Sequence, residues 1–163
     1  MTSHERIAGS TPQVFDPLLG ATIWGAHVAG GMLTVQFGAT RTVTKRSGRE
    51  VAVGEHALHI QCPWRILKDK AVVVSEADYW WDETSDNSAE LGNTVGELID
   101  DVPRTFDLLR AHWHQLEIAI EGGVELHAFV FASSLNDPVE AFRLLCPGSD
   151  AAHVVLYSDG SYR

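Results

Sequence analysis

Five short segments occur twice along this chain, in the same order. Phe15-Asp16-Pro17-Leu18 is answered by Phe106-Asp107-Leu108-Leu109, and Gly30-Gly31 by Gly122-Gly123. An aromatic stands six residues after each second glycine, Phe37 and Phe129. Trp64-Arg65-Ile66-Leu67 is answered by Phe142-Arg143-Leu144-Leu145. Val72-Val73-Val74 with Tyr79 is answered by Val154-Val155-Leu156 with Tyr162. Only the loop lengths differ. This order predicts a tandem duplication, with pseudo-repeat halves at residues 15–79 and 106–162 and a linker at 80–105. The repeat is too long for a solenoid unit, so two similar halves are expected to share one core in a single domain spanning 1–163.

Each half reads as strands. Apolar runs at 21–28 and 32–37 flank Gly30-Gly31, and runs at 115–121 and 124–131 flank Gly122-Gly123. Two apolar runs about a glycine pair signal a hairpin, because glycine accepts the positive φ of a tight turn. Residues 57–61 alternate, with Leu58 and Ile60 on one face, and 72–74 is a candidate short buried strand. Helix is expected mainly in the linker. Leu91, Val95, Leu98, Val102, Phe106, Leu109 and Trp113 form one apolar stripe at helical spacing. Pro103 interrupts it, which predicts either one kinked helix or two helices, the second starting near Pro103 with Asp100 and Asp101 at its N-terminus. Asp137-Pro138-Val139-Glu140 has the pattern of a helix start, yet the repeat partner of 142–145 looks extended. Residues 138–145 are helix on one reading and strand on the other. The expected class is α+β: two similar β-rich halves forming one antiparallel sheet or barrel-like core, with a helical acidic linker between them.

A chain of 163 residues buries roughly two-thirds of its unfolded surface, so it needs neither metal nor disulfide to fold. Its two cysteines, Cys62 and Cys146, read as thiols rather than as a zinc or disulfide framework. No apolar run reaches the length of a bilayer span, and the first twelve residues are polar with no signal-peptide core. The cytoplasm is therefore the expected compartment, with no membrane partner. A net charge of −10 argues against nucleic acid as a ligand. The charge is uneven. Residues 76–107 hold ten acids (Glu76, Asp78, Asp82, Glu83, Asp86, Glu90, Glu97, Asp100, Asp101 and Asp107) against Arg104 alone. Residues 41–70 hold seven bases against Glu50, Glu55 and Asp69.

Signatures of catalysis are absent: G-x-S-x-G, G-x-x-x-x-G-K-[ST], G-x-G-x-x-G and H-E-x-x-H do not occur. His56 and His59 would point to opposite faces of a strand, and no acid completes a ligand set around them or around His112 and His114, so neither metal nor cofactor is expected. Ser133-Ser134 reads as turn. Asp78 and Asp82 flank Tyr79-Trp80-Trp81. Paired carboxylates about aromatics can act as acid and base or bind sugar, but such a segment is more often a solvated loop or a partner surface. Neighbouring tryptophans on an extended segment point oppositely, so one of Trp80 and Trp81 must lie outside the core. Arg65 and Arg143 occupy matching places, where an arginine lays its stem over apolar residues and pairs its head with a carboxylate.

The run Ala57-Leu58-His59-Ile60-Gln61-Cys62-Pro63-Trp64-Arg65-Ile66 resembles the A-L-H-[IV]-Q-C-x-W-R-[IL] core of a family of uncharacterised bacterial proteins, mostly actinobacterial. The resemblance runs from Leu19 onward and implies no reaction. Similar small acidic proteins serve as immunity proteins of bacterial toxin systems, which is an analogy of size and charge.

Two function classes follow. The first is a non-catalytic binding protein, immunity-protein-like, that meets a basic protein through Asp78, Trp80, Trp81, Asp82, Glu83 and Asp86. The alternative is a small-molecule binder or enzyme with a pocket between the halves, for which His59, Arg65 and Arg143 are the polar candidates. A homodimer in which Trp80 or Trp81 covers a symmetric interface is a third arrangement.

Overall fold

A computed structural model describes residues 13–99, 104–112, 115–130, 137–151, 153–159 and 161. A 3-10 turn, Gln13–Leu18, leads into β1 (Thr22–Ala29), β2 (Met32–Thr44) and β3 (Glu50–Ile60). Strands β4 (Trp64–Lys68) and β5 (Ala71–Ser75) form the next hairpin. A single 3-10 turn, Glu76–Asp78, precedes the helix α1 (Ser88–Ile99). Then come β6 (Arg104–His112), β7 (Gln115–Ile120), β8 (Val124–Phe129), β9 (Glu140–Leu145) and β10 (Val154–Tyr157).

The described chain is thus mostly β with one α-helix. Its strands run in the order β10-β9-β3-β2-β1-β6-β7-β8-β4-β5, and every neighbouring pair is antiparallel. The sheet is open, with β10 and β5 at its edges, so the barrel-like closure expected as one option is not formed. Among the described residues, the two five-stranded units are joined by strand pairing only where Thr22 and Ile23 of β1 pair with Thr105 and Arg104 of β6. Exchanging β1 with β6, β2 with β7, β3 with β8, β4 with β9 and β5 with β10 reproduces the strand order read backwards. Each terminal hairpin crosses over: β4–β5 adds to β8, and β9–β10 adds to β3.

The register repeats as well. Arg65 on β4 faces His127 on β8, and Arg143 on β9 faces His59 on β3. Two residues beyond each histidine, Phe129 N–H donates to the Pro63 carbonyl and Gln61 N–H donates to the Ala141 carbonyl, both at 2.9 Å. The equivalent stretches are therefore Leu58-His59 with Leu126-His127, and Arg65 with Arg143. The last two of the five recurring segments fall on equivalent strands, β4 with β9 and β5 with β10. The first three do not. Phe15 lies in a 3-10 turn while Phe106 lies in β6, and the Gly30-Gly31 hairpin joins β1 to β2 while Gly122-Gly123 joins β7 to β8. Gly30, Gly31, Gly122 and Gly123 all have positive φ, so a glycine pair marks any tight turn and carries no register. Tyr162 lies outside the described residues.

Two local expectations are corrected and one open alternative is resolved. The helical stripe holds for α1, where Leu91, Val95 and Ile99 are buried, but the segment after it is strand β6 rather than a second helix. Thr105-Phe106-Asp107-Leu108 alternates polar with apolar, and that period of two, joined to β1 and β7 by ladders, outweighs the coincident spacing of Phe106 and Leu109. Asp100, Asp101, Val102, Pro103 and Trp113 lie outside the described residues. Segment 72–74 is a strand but not a buried one. Val72 is 53% and Val73 46% exposed, because β5 is a sheet edge and only Val74 reaches the core. Residues 138–145 resolve as strand β9 from Glu140 onward, with Val139 N–H donating to Ser158 Oγ just before it.

One apolar cluster serves both units. Leu33, Val35, Phe37, Leu58 and Ile60 from one unit and Ile66, Ile118 and Leu126 from the other are all at or below 1% exposure. Phe15 packs edge-on to Phe142, with centroids 6.5 Å apart. Helix α1 lies on β1. Gly92 faces that strand, where a Cβ would make an ordinary contact 3.5 Å from Val28 N. Beyond Phe37 the β2–β3 ladder has no third strand among the described residues; this part carries Arg41, Lys45, Arg46 and Arg49, with Arg41 bonded to the Pro147 carbonyl.

Candidate functional site

The acidic segment folds as a finger between β5 and α1. Trp80 N–H donates to Asn87 Oδ1 at 2.9 Å, and Asn87 N–H returns to the Trp80 carbonyl at 3.3 Å. Asn87 Nδ2 also donates to the Asp78 carbonyl at 2.8 Å. Inside this clamp Trp81 bridges to Asp86 as a minimal antiparallel pair. Asp82 closes the tip: its Oδ1 accepts from Thr84 N at 2.7 Å, Thr84 Oγ1 at 2.7 Å and Ser85 N at 2.9 Å. Such side-chain acceptors are the reason Asp and Asn nucleate turns.

Three of the acids therefore hold the loop. Asp78 Oδ2 accepts from Ser75 N at 2.8 Å, and Asp86 Oδ1 accepts from Ser88 N at 2.8 Å at the start of α1. The Thr84 hydroxyl, then the Thr84 and Ser85 amides, hold the Asp82 carboxyl below its ordinary range. Both tryptophans are outside the core, not one: Trp80 is 50% and Trp81 66% exposed. The six residues Asp78, Trp80, Trp81, Asp82, Glu83 and Asp86 are brought together on one loop. Sequence reasoning missed Asn87, whose Asx-type bonding pattern after Asp86 was the available signal.

The alternative residues do not converge. His59 and Arg143 are cross-strand partners in one five-stranded unit, and Arg65 lies in the other opposite His127. Arg143 is paired: Nε donates to Glu140 Oε1 at 2.8 Å and Nη2 to Oε2 at 2.5 Å. That hydrogen-bonded carboxylate raises the guanidinium's affinity for its proton. Burial, then the charge of Arg143, lowers the His59 pKa, so the ring resists a second proton. Opposite Arg65, His127 Nε2 stands 3.0 Å from Glu125 Oε2, and Lys70 Nζ also bonds that carboxylate. The Lys70 bond first, and His127 second, keep the Glu125 carboxyl below its ordinary range.

Both cysteines are free thiols. Burial pushes the Cys62 thiol up to about 12. Cys146 Sγ is 3.3 Å from His56 Nδ1. Among the described residues no group of three His, Cys, Asp or Glu side chains is placed to hold a metal ion, and no helix is long and apolar enough to cross a membrane. Ser133, Ser134 and His114 lie outside the described residues. Compared with known proteins, the chain matches no family model, no curated protein and no solved structure.

Proposed function

We propose that this chain is a non-catalytic binding protein that presents the finger from Trp80 to Asn87 to a basic protein partner. The observation that carries the reading is the exposure of two adjacent tryptophans on a backbone fixed by Asp78, Asp82, Asp86 and Asn87. A rigid loop loses little entropy on docking, and tryptophan is enriched among residues that dominate interface energy. The acids about it speed encounter with a partner of opposite charge. Immunity proteins that meet a basic toxin work on this principle, and the resemblance at 57–66 adds no activity that would compete with it. The cytoplasm is the compartment that suits such a role.

The same reading takes the two five-stranded units as products of a tandem duplication whose terminal hairpins have exchanged. What supports this is the palindromic strand order and the repeated pairing of Arg65 with His127 and Arg143 with His59. The units then serve as scaffold, and the finger and α1, inserted between β5 and β6, have no counterpart among the described residues.

Charge reversal tests the docking claim. Asp82 is unsuitable, because its carboxylate holds the turn. Glu83 and Glu90 are exposed on the finger and the first turn of α1. Converting both to lysine should slow association with the basic partner by about tenfold at low ionic strength and flatten its salt dependence. Equal association rates for wild type and Glu83→Lys/Glu90→Lys across ionic strength would contradict the docking claim.

A further inference from the structure

The two equivalent arginines differ in what holds them, and the difference marks a ligand site. Around Arg143, Glu140 supplies a bidentate carboxylate and Gln61 Nε2 donates to the same Glu140. The register places Cys62 where Glu140 stands, three residues before the arginine, and Phe129 where Gln61 stands, two residues after the histidine. The polar pair has been replaced by an apolar one. Arg65 is left with its guanidinium carbon 4.9 Å from the Phe129 ring centroid. Its Nε is buried without a hydrogen-bond partner, and among the described residues no carboxylate pairs with it. A stacked guanidinium keeps its in-plane N–H groups available, and those groups match a carboxylate fork.

Arg65 opens on a groove of about 360 Å³ lined by Pro63, Trp64, Ser75, Glu76, Ala77 and Phe129. That size lies in the range of small-molecule sites. We propose that this groove binds a small monocarboxylic acid with an apolar body. Its carboxylate pairs with the terminal Nη groups of Arg65, and its body lies along Phe129, Pro63 and Ala77. The bound oxygens meet the terminal Nη groups on the groove side, Nε itself being sealed from solvent. Glu76 limits the ligand. It also lines the groove, so a second anionic group on the ligand would meet like charge. Monocarboxylates are therefore preferred over dicarboxylates. The site is independent of the finger and stands whether or not the finger docks a protein.

Benzoate is the probe, and the Nε–Hε resonances of the full-length protein are the readout. On titration the Arg65 resonance should shift saturably, while that of Arg143, already held by Glu140, stays in place. Benzamide, of the same shape without the charge, should leave both unmoved. Arg65→Gln should weaken benzoate at least about tenfold, the worth of a charge-assisted hydrogen bond. Arg65→Lys keeps the charge without the fork and should fall between the two. No saturable shift at Arg65 up to about 30 mM benzoate overturns the proposal, since even a weak carboxylate site would fill there. So does an equal shift at Arg143, or binding that survives in Arg65→Gln with an otherwise native spectrum.

Discussion

Replacing Trp64 by alanine should cost about 3–5 kcal/mol of folding stability. The indole is 2% exposed and belongs to the shared core. It sits at the head of β4, opposite Ala128 of β8, where the first terminal hairpin joins the other unit. Its Nε1 donates to the Gly31 carbonyl at 2.8 Å, tying that junction to the β1–β2 turn. Alanine removes the ring, leaves a void and strands a buried carbonyl. Phenylalanine keeps most of the packing and loses the bond, so Trp64→Phe should cost about 1–2 kcal/mol. Urea unfolding monitored by far-UV circular dichroism, with an unchanged slope, measures both. A loss below about 1 kcal/mol for Trp64→Ala would mean that the crossed-over hairpin is not seated as described.

Gly54→Ala should be nearly as damaging, for a different reason. A Cβ at Gly54 would lie 2.6 Å from the Phe37 carbonyl oxygen, 2.8 Å from that of His56 and 2.9 Å from Phe37 N. These are backbone atoms of a paired ladder, and none can swing aside. The register between β2 and β3 shifts between Phe37 and Thr40, and Gly54 N–H donates to Gln36 Oε1 at 2.9 Å beside that irregularity. A bulge brings the two backbones close, and glycine is what the closeness requires. The expected loss is about 3 kcal/mol. Gly48→Ala is the contrast: its φ is +80° but nothing lies within 4 Å, so only left-handed strain remains, about 1 kcal/mol. Equal losses for the two variants by urea unfolding would refute the close approach at Gly54.

Local signals in the sequence reached the hairpins and stopped at the register. Gly30-Gly31 and Gly122-Gly123 announced their turns because positive φ is a local demand. The broad class, α+β and rich in strands, followed from the same patterns, whereas the helix expected beyond Pro103 is instead strand β6. Phe106 and Leu109 misled because their spacing of three continues the helical stripe by coincidence, and the ladders that decide come from β1 and β7 and are not written in the local pattern. Val72 and Val73 looked buried because composition cannot reveal which strand ends a sheet. Within the finger, the acids were visible but their roles were not. That Asp82 turns inward to Thr84 and Ser85 is a matter of hydrogen-bond geometry, not charge. The recurrence of Arg65 and Arg143 was legible. The contrast between them, Glu140 against Cys62, needed the pairing of each arginine with its histidine.

The docking claim meets its most direct test in capture from source-cell lysate by tagged wild type and by the Trp80→Ala/Trp81→Ala variant, at low and at high salt, read by mass spectrometry. A basic protein held by wild type at low salt, released at high salt and reduced at least about tenfold by the double variant is the predicted result. Capture that is indifferent to salt, or equal for the two proteins, would contradict it.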